Sequence, residues 1–142
     1  MNLLFNIIAG IIASAAFSIL FQTRGVNILI AALNGGIGYL VYLLLDFFGL
    51  FYAILFASMA IMIYAEIFAR VRKAPVTIFL VPALIPIVPG GDLYNGMTNL
   101  VAGLPGNSMS LLYSAFYKTA AIALGIILVS SVVSRITRKS KS

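Results

Sequence analysis

PALIPIVPGGDLYNG, residues 82–96, carries three prolines, three glycines and an aspartate in fifteen positions of a stretch that otherwise reads as membrane-spanning. Proline lacks a backbone donor, and its ring clashes with the carbonyl one turn earlier. Pro82, Pro86 and Pro89 repeat that insult at three successive turns. The pattern predicts a short helix up to about Ile85, an extended stretch through Gly91 at angles no helix uses, and a second short helix from near Asp92. Asp92 is placed to cap that second helix, with Asn95 and Asn99 on one face behind it. Unpaired peptide groups cannot face hydrocarbon, so irregular backbone at membrane depth needs protein or a wet cavity beside it. Secondary transporters use such breaks as midplane solute sites, with a half-helix N terminus aimed at an anion and freed carbonyls at a cation. A structural kink, or a re-entrant plug without a solute, is the alternative.

The surrounding composition makes the membrane reading firm. Of 142 residues, 63% are hydrophobic and only 8% charged, against roughly a quarter charged in a soluble domain. There is no cysteine and no histidine, which removes disulfides, thiolate sites and the commonest general base and metal ligand. Three acids in the whole chain leave no paired-carboxylate chemistry. Neither an enzyme nor a cofactor is expected. The net charge of +6 does not imply nucleic acid, because most of the cations sit in RVRK (70–73) and RITRKSK (135–141), directly beside apolar runs. That is the footprint of membrane topology.

A helix crosses the hydrocarbon layer in about 20 residues, and on that ruler the chain divides into five spans. They are 3–21, 26–45, 50–69, 76–101 (broken) and 111–133. The first run has no basic segment ahead of it and is long for a signal peptide, so it reads as a retained span. Basic residues belong in the cytoplasm, which applies to Arg24, Arg70, Arg72, Lys73, Arg135, Arg138, Lys139 and Lys141. Two spans then separate each cluster from the next, provided that the broken segment makes a full crossing. If it dipped in and returned, Arg135 would fall on the wrong side. The expected fold is therefore all-α and integral to the membrane, with five transmembrane helices, the N terminus outside and the C terminus cytoplasmic. Residues 1–134 form one domain and 135–142 a basic cytoplasmic tail.

Helices in lipid associate through small residues, because lipid supplies no hydrophobic drive between them. Span one carries Asn6, Gly10, Ser14 and Ser18. Span two carries Asn27, Ala31, Asn34, Gly35, Gly38 and Tyr42, and span five carries Ser114, Lys118, Ala121 and Gly125. Most of these read as helix seams. Asn34 and Lys118 stand out as pathway candidates, since a lysine in the membrane must snorkel, pair or meet water. Lys118 is open between interfacial anchor and pathway residue. Glu66 lies one turn before Arg70 and is open between an i,i+4 ion pair and an ion or solute role.

The run YAEIFARVRKAPVTIFLVPALIPIVPGGDLYNGM (64–97), followed by YKTAAIALGIILVSSV (117–132), resembles the small membrane subunit of the threonine/serine exporter family. Glu66, Arg70, Lys73, Pro75, Pro86, Pro89, Gly90, Gly91 and Tyr94 carry the resemblance, and the proline-glycine stretch is its most specific part. It implies a subunit of a secondary exporter in the bacterial inner membrane, split from a larger membrane subunit that is needed for export. The implied solutes are threonine and serine or a small dicarboxylate such as succinate. No family site residues come with it. The residues expected along the solute or ion path are Pro86, Pro89, Gly90, Gly91, Asp92, Tyr94, Asn95, Glu66, Lys118 and Asn34. The expected partners are the larger subunit, membrane lipid and a small-molecule solute, with a homo-oligomer as second choice and no nucleic acid. The competing reading is a non-transporting scaffold that stabilises a partner holding the route.

Overall fold

Apolar runs punctuated by glycine and proline fold here into six helices, seen in a computed structural model that describes residues 3–139. The expected cytoplasmic position Lys141 lies outside the described residues. The helices are α1 (Leu3–Leu20), α2 (Val26–Leu45), α3 (Leu50–Arg72), α4 (Thr77–Leu84), α5 (Gly90–Val101) and α6 (Pro105–Lys139). Short 3-10 turns, Asp46–Phe48 and Ile85–Ile87, extend α2 and α4. No strand occurs among the described residues. Gly25 and Gly49 stand just before α2 and α3 at φ 63° and 111°, angles that side chains disfavour. They stand at the turns into α2 and α3.

Three helices are long and apolar enough to cross a membrane: α2 with the 3-10 turn after it, α3 and α6. The bent pair Thr77–Ile87 and Gly90–Val101 makes a fourth candidate if its halves form one span. Leu4–Leu20 is a shorter apolar helix.

Close backbone approach builds the seams. A Cβ on Gly35 would run into the Ser14 side chain, and one on Gly36 into that of Ile11, so the α2 backbone lies directly on α1 side chains. Gly38 does the same against Ile61 of α3, and Gly125 of α6 against Ser58 and the Leu55 carbonyl. Asn34, fully buried, donates from Nδ2 to the Ile61 carbonyl at 3.2 Å and the Phe79 carbonyl at 3.1 Å. One amide thus fastens α2 to both α3 and α4.

The contacts also fix helix direction. Arg72 Nε donates to Asn27 Oδ1 at 2.9 Å, joining the end of α3 to the start of α2. Arg70 Nη2 donates to Thr137 Oγ1 at 3.2 Å, joining the same end of α3 to the last turns of α6. Arg24, Arg70, Arg72, Lys73 and Arg135 therefore share one end of the bundle, the basic end. At the opposite end Phe51 packs on Tyr117. Hence α3 and α6 run parallel, and the chain between them travels from the basic end back to the opposite one.

That return is the proline-rich stretch. α4 starts beside Ile30, Ala31, Ala65 and Ala69, where Phe79 is fully buried. It ends with Ile87 against Ile54 and Ile122. Pro82 sits inside α4 and Pro86 in the 3-10 turn that follows. Beyond them the axis bends by 54° into α5. The break is shorter than the sequence suggests. Only Val88, with extended angles, and Pro89 leave helical geometry, and α5 starts at Gly90 rather than near Asp92. Gly90 and Gly91 are helical with no positive φ. The 3-10 turn absorbs Pro86, and Pro89 takes the position before a first turn, whose donors are unpaired anyway.

α5 then doubles back on α6. Ser108 Oγ donates to the Gly96 carbonyl at 2.6 Å, and a Cβ on Gly96 would meet Leu112 at 2.9 Å. α6 starts at Pro105, six residues before the expected Leu111. Proline is favoured at a first helical position, and the polar run that follows extends the helix instead of ending it.

Candidate functional site

At the bend a cleft of about 230 Å³ opens between α2, the start of α3, the break, α5 and α6. Tyr39 and Tyr42 come from α2, Pro86 and Pro89 from the break, and Gly91, Asp92 and Lys118 complete its polar wall. The two tyrosine rings lie 5.7 Å apart, centroid to centroid. Toward the basic end an apolar cluster that includes Ile54, Ile61, Ala83 and Ala121 closes the floor.

Asp92 is the centre of the polar wall. Its Oδ2 accepts from Lys118 Nζ at 2.6 Å and from Ser114 Oγ at 2.9 Å. Both side chains of the ion pair are about one-fifth exposed. The helices explain the meeting. α5 and α6 are antiparallel around the turn at Gly103, so Asp92 and Ser114 are equidistant from it. Lys118 lies one turn further along the same face as Ser114. The expected capping role of Asp92 does not occur, because α5 has no side-chain cap bond. Its carboxylate reaches across to α6 instead. There a full positive charge in a poorly hydrated setting offers more than a peptide N–H.

Of the ten expected path residues, Pro86, Pro89, Gly91, Asp92 and Lys118 come together around this cleft. Gly90 adjoins them. Tyr94 and Asn95 point outward from α5 and are exposed. Asn34 is sealed in the α2–α3–α4 seam, with its Oδ1 lacking a partner. Glu66 sits at the basic end, where Oε2 accepts from Arg70 Nη1 at 2.8 Å within one helix. It is three turns along α3 from Ile54, the cleft residue nearest to it on that helix.

Two cleft residues, Tyr39 and Tyr42, and Ser114 beside them were not foreseen as path residues. Tyr42 and Ser114 carried only a packing role, and Tyr39 carried none. Counting outward from the Gly103 turn would have paired Asp92 with Ser114. Nothing in the local sequence marks Tyr39, which faces the break from a different helix. Tyr39 and Pro86 also border a second cleft of about 190 Å³, against Asn6, Ala9, Gly10 and Ala13 of α1.

Among the described residues no group of histidine, cysteine or carboxylate side chains could hold a metal. What the cleft offers is one positive and one negative group, phenols and aliphatic walls. Such a set suits the binding of a small polar solute.

No curated protein and no solved structure matched the chain. The family model described as "Threonine/Serine exporter, ThrE" matches residues 6–132. It covers every helix that builds the cleft, and the chain belongs to the threonine/serine exporter family.

Proposed function

We propose that this chain is one subunit of a bacterial inner-membrane secondary exporter of small amino acids or a small dicarboxylate, acting with a larger membrane subunit. One observation carries the reading: the broken segment brings Asp92 and Lys118 together on the wall of a cleft, where a solute's charges can be met. Export in this family belongs to transporters rather than enzymes.

Five spans fit this reading, with α1 as the first and the bent α4–α5 pair as the fourth. Support comes from the sharing of one end by Arg24, Arg72 and Arg135, which the positive-inside rule assigns to the cytoplasm. The N terminus is then outside, the C terminus inside, and the cleft lies toward the outer face. The chain alone does not wall a route on every side, since a wet path must be screened from lipid all round. The larger subunit supplies the missing wall, with a second copy of this chain as the lesser choice. Glu66 serves the ion pair at the cytoplasmic mouth, and Asn34 the seam beneath the cleft.

The test is export from cells making both subunits with Asp92→Asn or Pro89→Ala here. Both variants are expected to export threonine well below wild type at equal abundance. Wild-type rates from both would remove the cleft from the route.

A second reading, a scaffold that only stabilises the partner, draws on the tight glycine seams, which suit an assembly role. Purified chain in liposomes decides one direction of it: solute flux without any partner would refute the scaffold.

A further inference from the structure

We propose, resting on the exporter reading above, that the Asp92–Lys118 pair selects solutes by charge. At rest each half occupies the place that a solute's opposite charge takes, so only a solute carrying an ammonium and a carboxylate together displaces both halves.

The geometry sets this rule. The pair is closed at 2.6 Å and about one-fifth exposed, so separating it without replacements leaves two poorly hydrated charges. Removing a single partner from such a pair is strongly unfavourable. A zwitterion brings both replacements at once: its ammonium meets Asp92 and its carboxylate meets Lys118. A dicarboxylate satisfies Lys118 but leaves Asp92 unpaired and facing an anion.

Among the described residues no other ionised group lines the cleft. Asp46 is exposed in the turn after α2, and Glu66 is held by Arg70 at the basic end. Ser114 completes the device. Its hydroxyl donates to the same Oδ2 that Lys118 holds, so Asp92 stays aimed into the cleft when the lysine turns to a solute. Next to Asp92 on the same wall, a side chain at Gly91 would meet nothing from the other helices within 4 Å of its first carbon, which leaves space beside the pair.

The experiment uses the native host without its chromosomal copy, complemented with tagged full-length chain and loaded with labelled L-threonine or succinate. Export is normalised to the amount of chain in the membrane. Asp92→Asn is expected to lower threonine export by at least about tenfold and to raise succinate export, because Lys118 becomes free for an anion. Lys118→Gln should lower threonine export similarly and leave succinate at background. The double exchange Asp92→Lys with Lys118→Asp keeps an ion pair for folding, and should recover threonine export several-fold over either single variant.

If wild type exports threonine while both single variants lose the two solutes in parallel, charge selection is overturned and the exporter reading stands. The same holds if Asp92→Asn keeps threonine export within about twofold, or if the double exchange recovers nothing at normal abundance. If complemented wild type exports neither solute above the deletion strain, the exporter reading fails and the selection rule falls with it.

Discussion

Phe51 and Tyr117 stand with ring centroids 4.9 Å apart at the end of the bundle opposite the arginines. Together with the Arg70–Thr137 bond at the other end, this contact fixes a parallel register of α3 and α6 at an offset of 66 to 67 residues. At 1.5 Å per residue, the twelve residues from Pro105 to Tyr117 carry α6 about 18 Å past Phe51. α5 lies along that overhang and packs closely on no helix but α6. Leu93, Met97, Leu100 and Val101 form an outward apolar stripe on it.

The proposed orientation, with the basic end in the cytoplasm, is open to a direct test. The chain has no cysteine, so single-cysteine variants report cleanly. An impermeant maleimide added to intact cells should label Asp46→Cys and Asn107→Cys, and spare Arg24→Cys, Lys73→Cys and Arg135→Cys until the membrane is opened. Labelling of Lys73→Cys from outside would reverse the orientation.

Glycine seams should respond according to what lies opposite. Gly35→Ala and Gly125→Ala each place a methyl under 3 Å from a neighbour, in the second case also 2.7 Å from the Leu55 backbone oxygen. Each should cost about 1–3 kcal/mol, read as earlier unfolding in detergent. Gly90→Ala and Gly91→Ala meet nothing within 4 Å. They should match or exceed wild-type stability, because alanine favours the helix by roughly 0.5–1 kcal/mol.

Asn34 tests the amide fastening. Asn34→Ala loses two buried donations, at roughly 0.6 kcal/mol each by the average for membrane-embedded bonds. Asn34→Asp should be worse, since an ionised carboxylate has no donor for the Ile61 and Phe79 carbonyls and brings a buried charge. Graded unfolding in SDS should rank them wild type, alanine, aspartate. Equal stability of all three would dismiss the fastening.

The Glu66–Arg70 pair is within one helix and Arg70 is half-exposed. Its loss in Glu66→Gln should cost only about 0.3–0.5 kcal/mol. Export by this variant should stay within roughly twofold of wild type, since the exposed-pair energy converts to about that factor. A tenfold loss at normal abundance would return Glu66 to the solute path.

Much of the helical layout was legible because apolar runs and glycine or proline breakers act locally. Val26–Leu45 and the start of α3 at Leu50 follow directly from Gly25 and Gly49. The bend at Val88–Pro89 was legible for the same reason. Its width was not, because a 3-10 turn hosts Pro86 and a first helical turn hosts Gly90 and Gly91, and neither needs the glycines to unwind. Asp92 was visible as a charge out of place, but local rules assigned it a cap. Its partner lies 26 residues away, and only the hairpin around Gly103 brings the two together. Tyr39 was illegible, since its place on the cleft depends on how α2 faces the break.

The rigid length of α6 has a mechanical consequence. α6 is clamped to α3 where Gly125 meets Ser58, about 30 Å from its first residue and about 21 Å from its last. Measured from that contact, it has the proportions of a lever with unequal arms. Any tilt about that fulcrum swings the Pro105 end, with α5 aboard, roughly half again as far as the Lys139 end, and in the opposite direction.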